Sequence, residues 1–501
     1  MRYNGARSMP SSSIITDFTA EPPPVVVSSS KPAAAAERDH VEAKRWFSLA
    51  VGSLVIAGLL SLSVVIGRLP VLSRIIDDPL FFKRCLVVHV DLALVVWFYA
   101  FLSGLLALAL PSPAGKIRTA AHGLAAAGVL AMLTGALMRG AQPILANYVP
   151  VIDHPLFGGG LAAFFVGTLL NSIHALVARN DRGERVLPAD ARIGLQAAAV
   201  TLIIAAATWI SARAGLPAGL DPHTGAEFLA WGPGHVLQAA NACAMLAVWL
   251  WLLEQSTGRP VLTPKQARLG FGAMVVPQAA MPLLTVRGTL DTLYHTGATQ
   301  LMRWAIFPAV VVMTVIGIRH LRTAKGRAVV TGRSRLTAIG FGASATLATL
   351  GMILGACIRG STTLVPAHYH ASLGAVTVAF MTAAYLVCDR VRRDGRSRSG
   401  LSDATCRTAR RQLALFGVGQ TIFALGFALG GAYGLGRKAY AAEQHVRGAG
   451  EIVGLIVMGV GGLVAATGGL WFLFLVLREM RDWWRRAPAA LPIANRSVLT
   501  P

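Results

Sequence analysis

Twelve apolar stretches, at 46–66, 86–110, 119–138, 157–178, 191–212, 228–253, 269–286, 296–318, 336–358, 367–388, 412–432 and 453–477, constrain this chain more than any other feature. A helix rising 1.5 Å per residue needs about twenty apolar residues to cross a hydrocarbon core about 30 Å thick, and each stretch has that length or nearly so. Backbone inside lipid must satisfy its own hydrogen bonds, which leaves a helix or a closed barrel, and stretches of this length select the helix. Composition agrees, with hydrophobic residues at 54% and charged residues at 14% of the 501, against roughly a quarter charged in soluble domains. The expected fold is all-α: a polytopic membrane protein with twelve transmembrane helices.

A net charge of +23 would normally raise nucleic acid as a partner, but the basic residues fall in alternate loops. Arg179, Arg182, Arg185 and Arg192 follow the fourth span, six basic residues lie between Arg319 and Arg335, and eight arginines lie between Arg390 and Arg411. The intervening loops hold Arg139, Arg213, Arg287 or Arg359 nearly alone. This is the positive-inside pattern, so both termini are expected in the cytoplasm of a bacterial inner membrane, with lipid and not nucleic acid as the surrounding partner. Residues 1–43, rich in Pro, Ser and Ala, read as a disordered cytoplasmic tail with no cleavable signal peptide. Residues 44–480 read as the membrane domain and 481–501 as a C-terminal cytoplasmic tail. The five cysteines form no C-x-x-C or C-x-x-C-H, so covalently attached haem, zinc knuckles and thiol redox motifs have no support.

Four histidines then stand out by depth. His89 lies near the start of the second span, His235 about two turns into the sixth, and His368 and His370 open the tenth. By the charge pattern all three spans enter from the outer side, which puts four imidazoles at one level. His368 and His370 project about 200° apart on their helix, one to each side. A lone histidine at such a depth is most often bonded to a neighbour, but ionisable groups within a membrane are costly and four at one level point to a shared role. Neutral imidazole is a common axial ligand of haem iron, so a helix offering one on each side can hold two haems.

With these residues the chain resembles the catalytic subunit I of the haem–copper oxidase superfamily, the oxygen and nitric oxide reductases, over about 46–480. The resemblance rests on twelve spans, the early His89, the pair Gly234-His235, the His368-x-His370 motif, and the segment "LGGAYGLGRKAY" at 429–440. It implies that His89 and His370 ligate a low-spin haem and that His368 is the proximal ligand of a high-spin haem. It also implies that Arg437 and Lys438 bind haem propionates, and that Gln238 and Asn241 join His235 on the distal side. Electrons would come from a cytochrome c, a cupredoxin or a quinol, through a separate subunit, and a diatomic such as O2 or NO would be bound and reduced, as in a respiratory chain.

The departures from the family pattern are specific. His235 would be the first of three copper ligands, yet the other two positions fall on or beside Leu283 and Leu284. Leucine has no lone pair for a metal, so two haems are expected and copper is not. Leu237 and Ala239 replace a glutamate and a tyrosine of the oxidases, Val312 replaces a channel lysine, and Ala239 and Ala305 replace acids of the nitric oxide reductases. His295 reads as an interfacial histidine. Arg303, about two turns inside the eighth span, would reach a propionate, Glu227 or Asp291, or snorkel to the surface. Two other readings remain at the level of sequence: a copper-less haem protein that senses, stores or scavenges a gas or carries electrons, and a twelve-span transporter with incidental histidines.

Overall fold

A computed structural model describes residues 30–66, 78, 80–110, 115–177, 186–324, 331–393, 401–437 and 448–485. Twelve helices in it are long and apolar enough to cross a membrane. They are α1 (Ser30–Ile66), α2 (Phe81–Ala109), α3 (Gly115–Ala136), α4 (Pro155–Val177), α5 (Ala189–Ala214), α6 (Pro222–Thr257), α7 (Pro264–Thr285), α8 (Thr292–Ala324), α9 (Gly332–Ala356), α10 (Leu364–Arg393), α11 (Asp403–Ala432) and α12 (Ala449–Arg485). Each expected span falls on one of them, and the chain is a multi-pass membrane protein.

Local chemistry sets the helix ends. Asp221 caps α6 by accepting from the Thr224 amide at 3.0 Å, Pro222 fills the first turn, and the helix stops at Gly258 in the left-handed conformation. Thr263 and Gln266 form a reciprocal capping box on α7. Proline breaks that helix further on: its course passes through a tight turn at Val276–Ala280, containing Pro277, before Met281–Thr285. Two π turns interrupt longer helices, Asp91–Val96 in α2 and Met302–Ile306 in α8. Residues 1–43 read from sequence as a disordered cytoplasmic tail, and within them α1 already begins at Ser30, because Ala33–Ala36 and the following Glu-Arg-rich turn are strong helix formers; residues 1–29 lie outside the described residues. Similarly, α12 runs to Arg485, into the expected C-terminal tail.

Three helices form the centre. In α2, α6 and α10, 83–89% of the apolar window is buried, against 22–44% in the other nine. These three carry all four singled-out histidines, so the bundle surrounds the candidate site. Aromatic side chains knit α2 and α10 together: Phe101 of α2 stacks on Phe380 of α10 at 4.7 Å, and Trp97 lies between Phe101 and Phe472 of α12. Peripheral pairs use small residues instead. Between α3 and α4 the backbones approach so closely that a Cβ on Gly128 would collide with the Gly160 carbonyl. A two-stranded antiparallel hairpin, β1 (Gln142–Ile144) and β2 (Val151–Asp153), joins α3 to α4 and projects its loop over one end of the central helices.

Candidate haem-ligand cluster and distal pocket

Helix α6 is buried along its whole middle, and its exceptions form a pattern. From Gly232 to Leu253 the residues that are not buried are His235, Gln238 and Asn241, spaced three apart on one face. They are the three residues assigned to the distal side from sequence, and all three are partly accessible. Tyr99 of α2 ties that helix to α6, its hydroxyl donating to the Leu237 carbonyl at 3.4 Å.

The histidines of α2 and α10 have the donor chemistry that a metal-bound imidazole needs. His89 Nδ1 lies 2.8 Å from the Ala57 carbonyl of α1, and His368 Nδ1 lies 2.7 Å from the Gly351 carbonyl of α9. A carbonyl oxygen only accepts, so in both rings Nδ1 carries the proton and Nε2 keeps its lone pair. His370 is held differently. Its ring stacks on Phe427 at 5.2 Å and 6° and meets Phe423 edge-on at 4.8 Å, while Gln420 donates to its carbonyl at 3.0 Å. His89 and His370 lie within electrostatic range of each other. All three imidazoles remain partly accessible although their helices are central. Oriented, neutral, accessible nitrogens of this kind fit haem iron.

His235 is different, because both of its nitrogens are engaged. Nδ1 is 3.0 Å from the Trp231 carbonyl and 2.8 Å from the Tyr294 hydroxyl, and Nε2 is 2.9 Å from the Tyr148 hydroxyl. The carbonyl fixes the proton on Nδ1, so Nε2 is the acceptor and Tyr148 the donor. Burial and the nearby Glu227 carboxylate push the Tyr148 phenol above its ordinary range, against the pull of Arg437, so the hydroxyl keeps its proton. Glu227 also holds the hairpin loop: its carboxylate accepts from the Asn147 amide N–H at 3.0 Å, from the Asn147 side chain, and from Trp231 Nε1 at 3.1 Å.

Sequence reasoning missed Tyr148, Tyr294, Asn147 and Asp91. Tyr148 lies in a loop with no periodic signal, and Tyr294 sits one residue before a histidine that drew attention instead. Asp91 had a signal, an acid in an apolar run two residues after His89. It is fully buried at the start of the π turn, and neither carboxylate oxygen has a hydrogen-bond partner among the described residues.

Other expected residues fall as follows. Leu283 is 76% exposed on the outside of α7, and Leu284 packs against Gly297. Among the described residues no group of three or more His, Cys, Asp and Glu is placed to hold a metal ion. Arg437 is pinned to the loop before α10, donating from Nε to Ser361 Oγ at 2.8 Å, and Lys438 lies outside the described residues. Arg303 does not reach Glu227 or Asp291. It is exposed on the surface of α8 beside Trp304, while Asp291 caps that helix through the Leu293 amide. His295 is exposed and meets Trp231 edge-on at 5.0 Å.

No family model matches the chain. It is 31% identical over 346 residues to an uncharacterized protein of Aquifex aeolicus, covering 68% of this chain and 83% of that protein. It is 21% identical over 501 residues to an uncharacterized protein of Rickettsia prowazekii, covering 87% of this chain and 96% of that protein. Among solved structures it is similar to a haem–copper terminal oxidase, determined as a dimer by cryo-EM, with a TM-score of 0.58 and 16% identity over 91% of this chain and 85% of the oxidase chain.

Proposed function

We propose, for a chain that belongs to the same family as the Aquifex aeolicus protein and has the haem–copper oxidase subunit I fold, that it is an integral-membrane dihaem redox protein of the bacterial plasma membrane. His89 and His370 would hold a low-spin haem, His368 a high-spin haem, and Arg437 with Lys438 the propionates. The observation that carries this reading is the paired Nδ1–H bonds of His89 and His368 to backbone carbonyls, which leave two Nε2 lone pairs oriented within the central helices. Haem, once bound, supplies electron transfer and an open coordination position for a diatomic such as O2 or NO. The chain's own part is to fix the imidazoles, to exclude water with the aromatic layer that joins α2 and α10, and to present His235, Gln238 and Asn241 as a polar wall. Electrons would arrive from a cytochrome c, a cupredoxin or a quinol by way of a separate subunit, with both termini in the cytoplasm.

Copper is absent from the proposal, since Leu283 and Leu284 cannot ligate and His235 Nε2 already accepts a hydrogen bond from a phenol. A second reading, a gas-binding protein without proton pumping, is favoured by α6 itself. Beyond Asn241, residues Ala242 to Leu253 are buried and apolar, and that face offers no acid or base to carry protons to the site. The test is haem and metal analysis of the purified protein with reduced-minus-oxidised, CO and NO difference spectra. Two haems, one of which binds CO, are expected. A protein without haem bands would sink the proposal in favour of a transporter.

A further inference from the structure

The hairpin loop spends conformational strain to put one aromatic residue against α6. Tyr148 has φ +69°, and among the described residues no other non-glycine residue has a positive φ. A bulky residue persists in the left-handed region only where its surroundings over-determine it. Here they do so on three sides. Asn147, immediately before it, is tied to Glu227 by its backbone and its side chain. The side chain packs against Gly234, where any Cβ would collide with it. The hydroxyl ends on His235 Nε2, with the two ring centroids 5.0 Å apart. The two tyrosines on His235 are not equivalent: Tyr294, on Nδ1, is fully buried, whereas Tyr148, on Nε2, and His235 itself are partly accessible.

We propose that Tyr148, and not His235, is the residue that meets a ligand in the distal pocket, its hydroxyl donating a hydrogen bond to a small acceptor such as CO, NO or O2 while His235 positions it. The inference rests on the dihaem reading above. Anything approaching Nε2 from the accessible side encounters the phenol first. The imidazole cannot swing out to replace it, because Trp231 and Tyr294 hold Nδ1. The phenol proton, by contrast, leaves Nε2 for a new acceptor by rotation about one C–O bond, with no backbone movement. The charged and titratable groups around this pair are Glu227 on α6, Tyr294 and His295 on α8, and Arg437 in the loop after α11. A hydrogen-bond donor aimed at a bound diatomic stabilises the charge it accumulates, which is how a pocket without a second metal would favour polar ligands.

The experiment compares Tyr148→Phe, His235→Leu and Glu227→Gln in the full-length holoprotein, reading the C–O stretch and the CO release rate of the ferrous adduct, with haem content and thermal unfolding as controls. Tyr148→Phe keeps the ring on Gly234 and removes only the donor. It should raise the C–O stretch and speed CO release about five-fold, the loss of one ordinary hydrogen bond. Glu227→Gln, which loosens the loop and leaves the hydroxyl in place, should shift the stretch in the same direction by less. A wild-type adduct in Tyr148→Phe beside a shifted one in His235→Leu would overturn the proposal and give the contact to His235. Absence of haem bands in the unaltered protein is a separate outcome, which would remove the dihaem reading itself.

Discussion

The two sides of the candidate site anchor their imidazoles alike and leave the second ring nitrogen in different surroundings. On α2 and α10, His89 and His368 each donate one ring nitrogen to a backbone carbonyl and keep the other lone pair open. On α6, His235 has the same kind of backbone anchor at Nδ1, but its Nε2 accepts a hydrogen bond from the Tyr148 hydroxyl. The imidazoles differ in what faces the lone pair, not in how the ring is anchored. On the proposed reading copper would be kept out without moving the histidine, because Tyr148 from a neighbouring loop faces Nε2 and Leu283 and Leu284 offer no lone pair. On the same reading, the side built on α2 and α10 would bind haem while the side built on α6 is a hydrogen-bonded protein pocket.

The largest effects should come from the open half. Replacing His89 or His370 by Ala removes an axial ligand of the proposed six-coordinate iron and should abolish the narrow low-spin bands of the reduced spectrum, while His368→Ala should instead abolish CO binding. Low-spin bands that survive in both His89→Ala and His370→Ala would break the assignment. The closed half should resist repair: a double substitution of Leu283 and Leu284 by His should still yield no stoichiometric copper by elemental analysis. Leu283 is 76% exposed on the outside of α7 and Leu284 is directed at Gly297, so restored imidazoles would not converge on His235. Copper at one equivalent in that variant would show that the companion positions alone, and not the Tyr148 cap, keep the metal out.

The membrane spans were legible in the sequence because burial in lipid demands long uninterrupted apolar runs. The four histidines were legible because ionisable groups are rare in such runs. Gln238 and Asn241 could be placed because helical periodicity from His235 fixes their face, and α6 leaves those three residues accessible. Tyr148 was not legible: its role depends on a hairpin that folds back over α6, a contact between residues 87 positions apart with no local pattern to announce it. The position of Arg303 was also undetermined, because the π turn at Met302–Ile306 changes the face it occupies, and a π turn leaves no mark in the periodicity that could be extrapolated. Composition rich in Ala, Ser and Pro does not by itself separate a helical lead-in from a disordered one.

The contrast between the two halves can be sharpened at Gly234. An alanine there would place its Cβ inside the Tyr148 ring, so either the ring leaves His235 or α6 shifts. Overpacking of this kind costs about 1–3 kcal/mol, and Gly234→Ala should lower the unfolding temperature and reproduce the altered CO adduct of Tyr148→Phe. The low-spin bands from His89 and His370 should stay as they are. An equal loss of both haems would mean that the halves are mechanically coupled and that the separation drawn between them is false.

The smallest effect concerns the frame that carries the hairpin. Arg84 of α2 is buried, donates from Nε to the Ala136 carbonyl at 2.8 Å and from Nη1 to the Ala141 carbonyl at 3.3 Å, and pairs with Asp78. It therefore ties α2 to the end of α3 from which the hairpin springs. The hydrogen bond from Arg84 holds the Asp78 carboxyl below its ordinary range, outweighing the cost of its partial burial. A depressed carboxyl pKa means that the unfolded chain takes up the proton first, so the stabilisation is fully present above about pH 4 and fades as pH falls through the lower folded-state value. The carboxylate is a quarter exposed, which limits the contribution to at most about 1 kcal/mol. Asp78→Asn should thus unfold slightly earlier than the unaltered protein at pH 6, and the two unfolding temperatures should converge as pH falls below about 4. The CO adduct, which depends on Tyr148, should stay constant in Asp78→Asn at pH 6 if the loop is held by Glu227. A shifted adduct would show instead that the Arg84 anchor, and not Glu227, sets the position of the tyrosine.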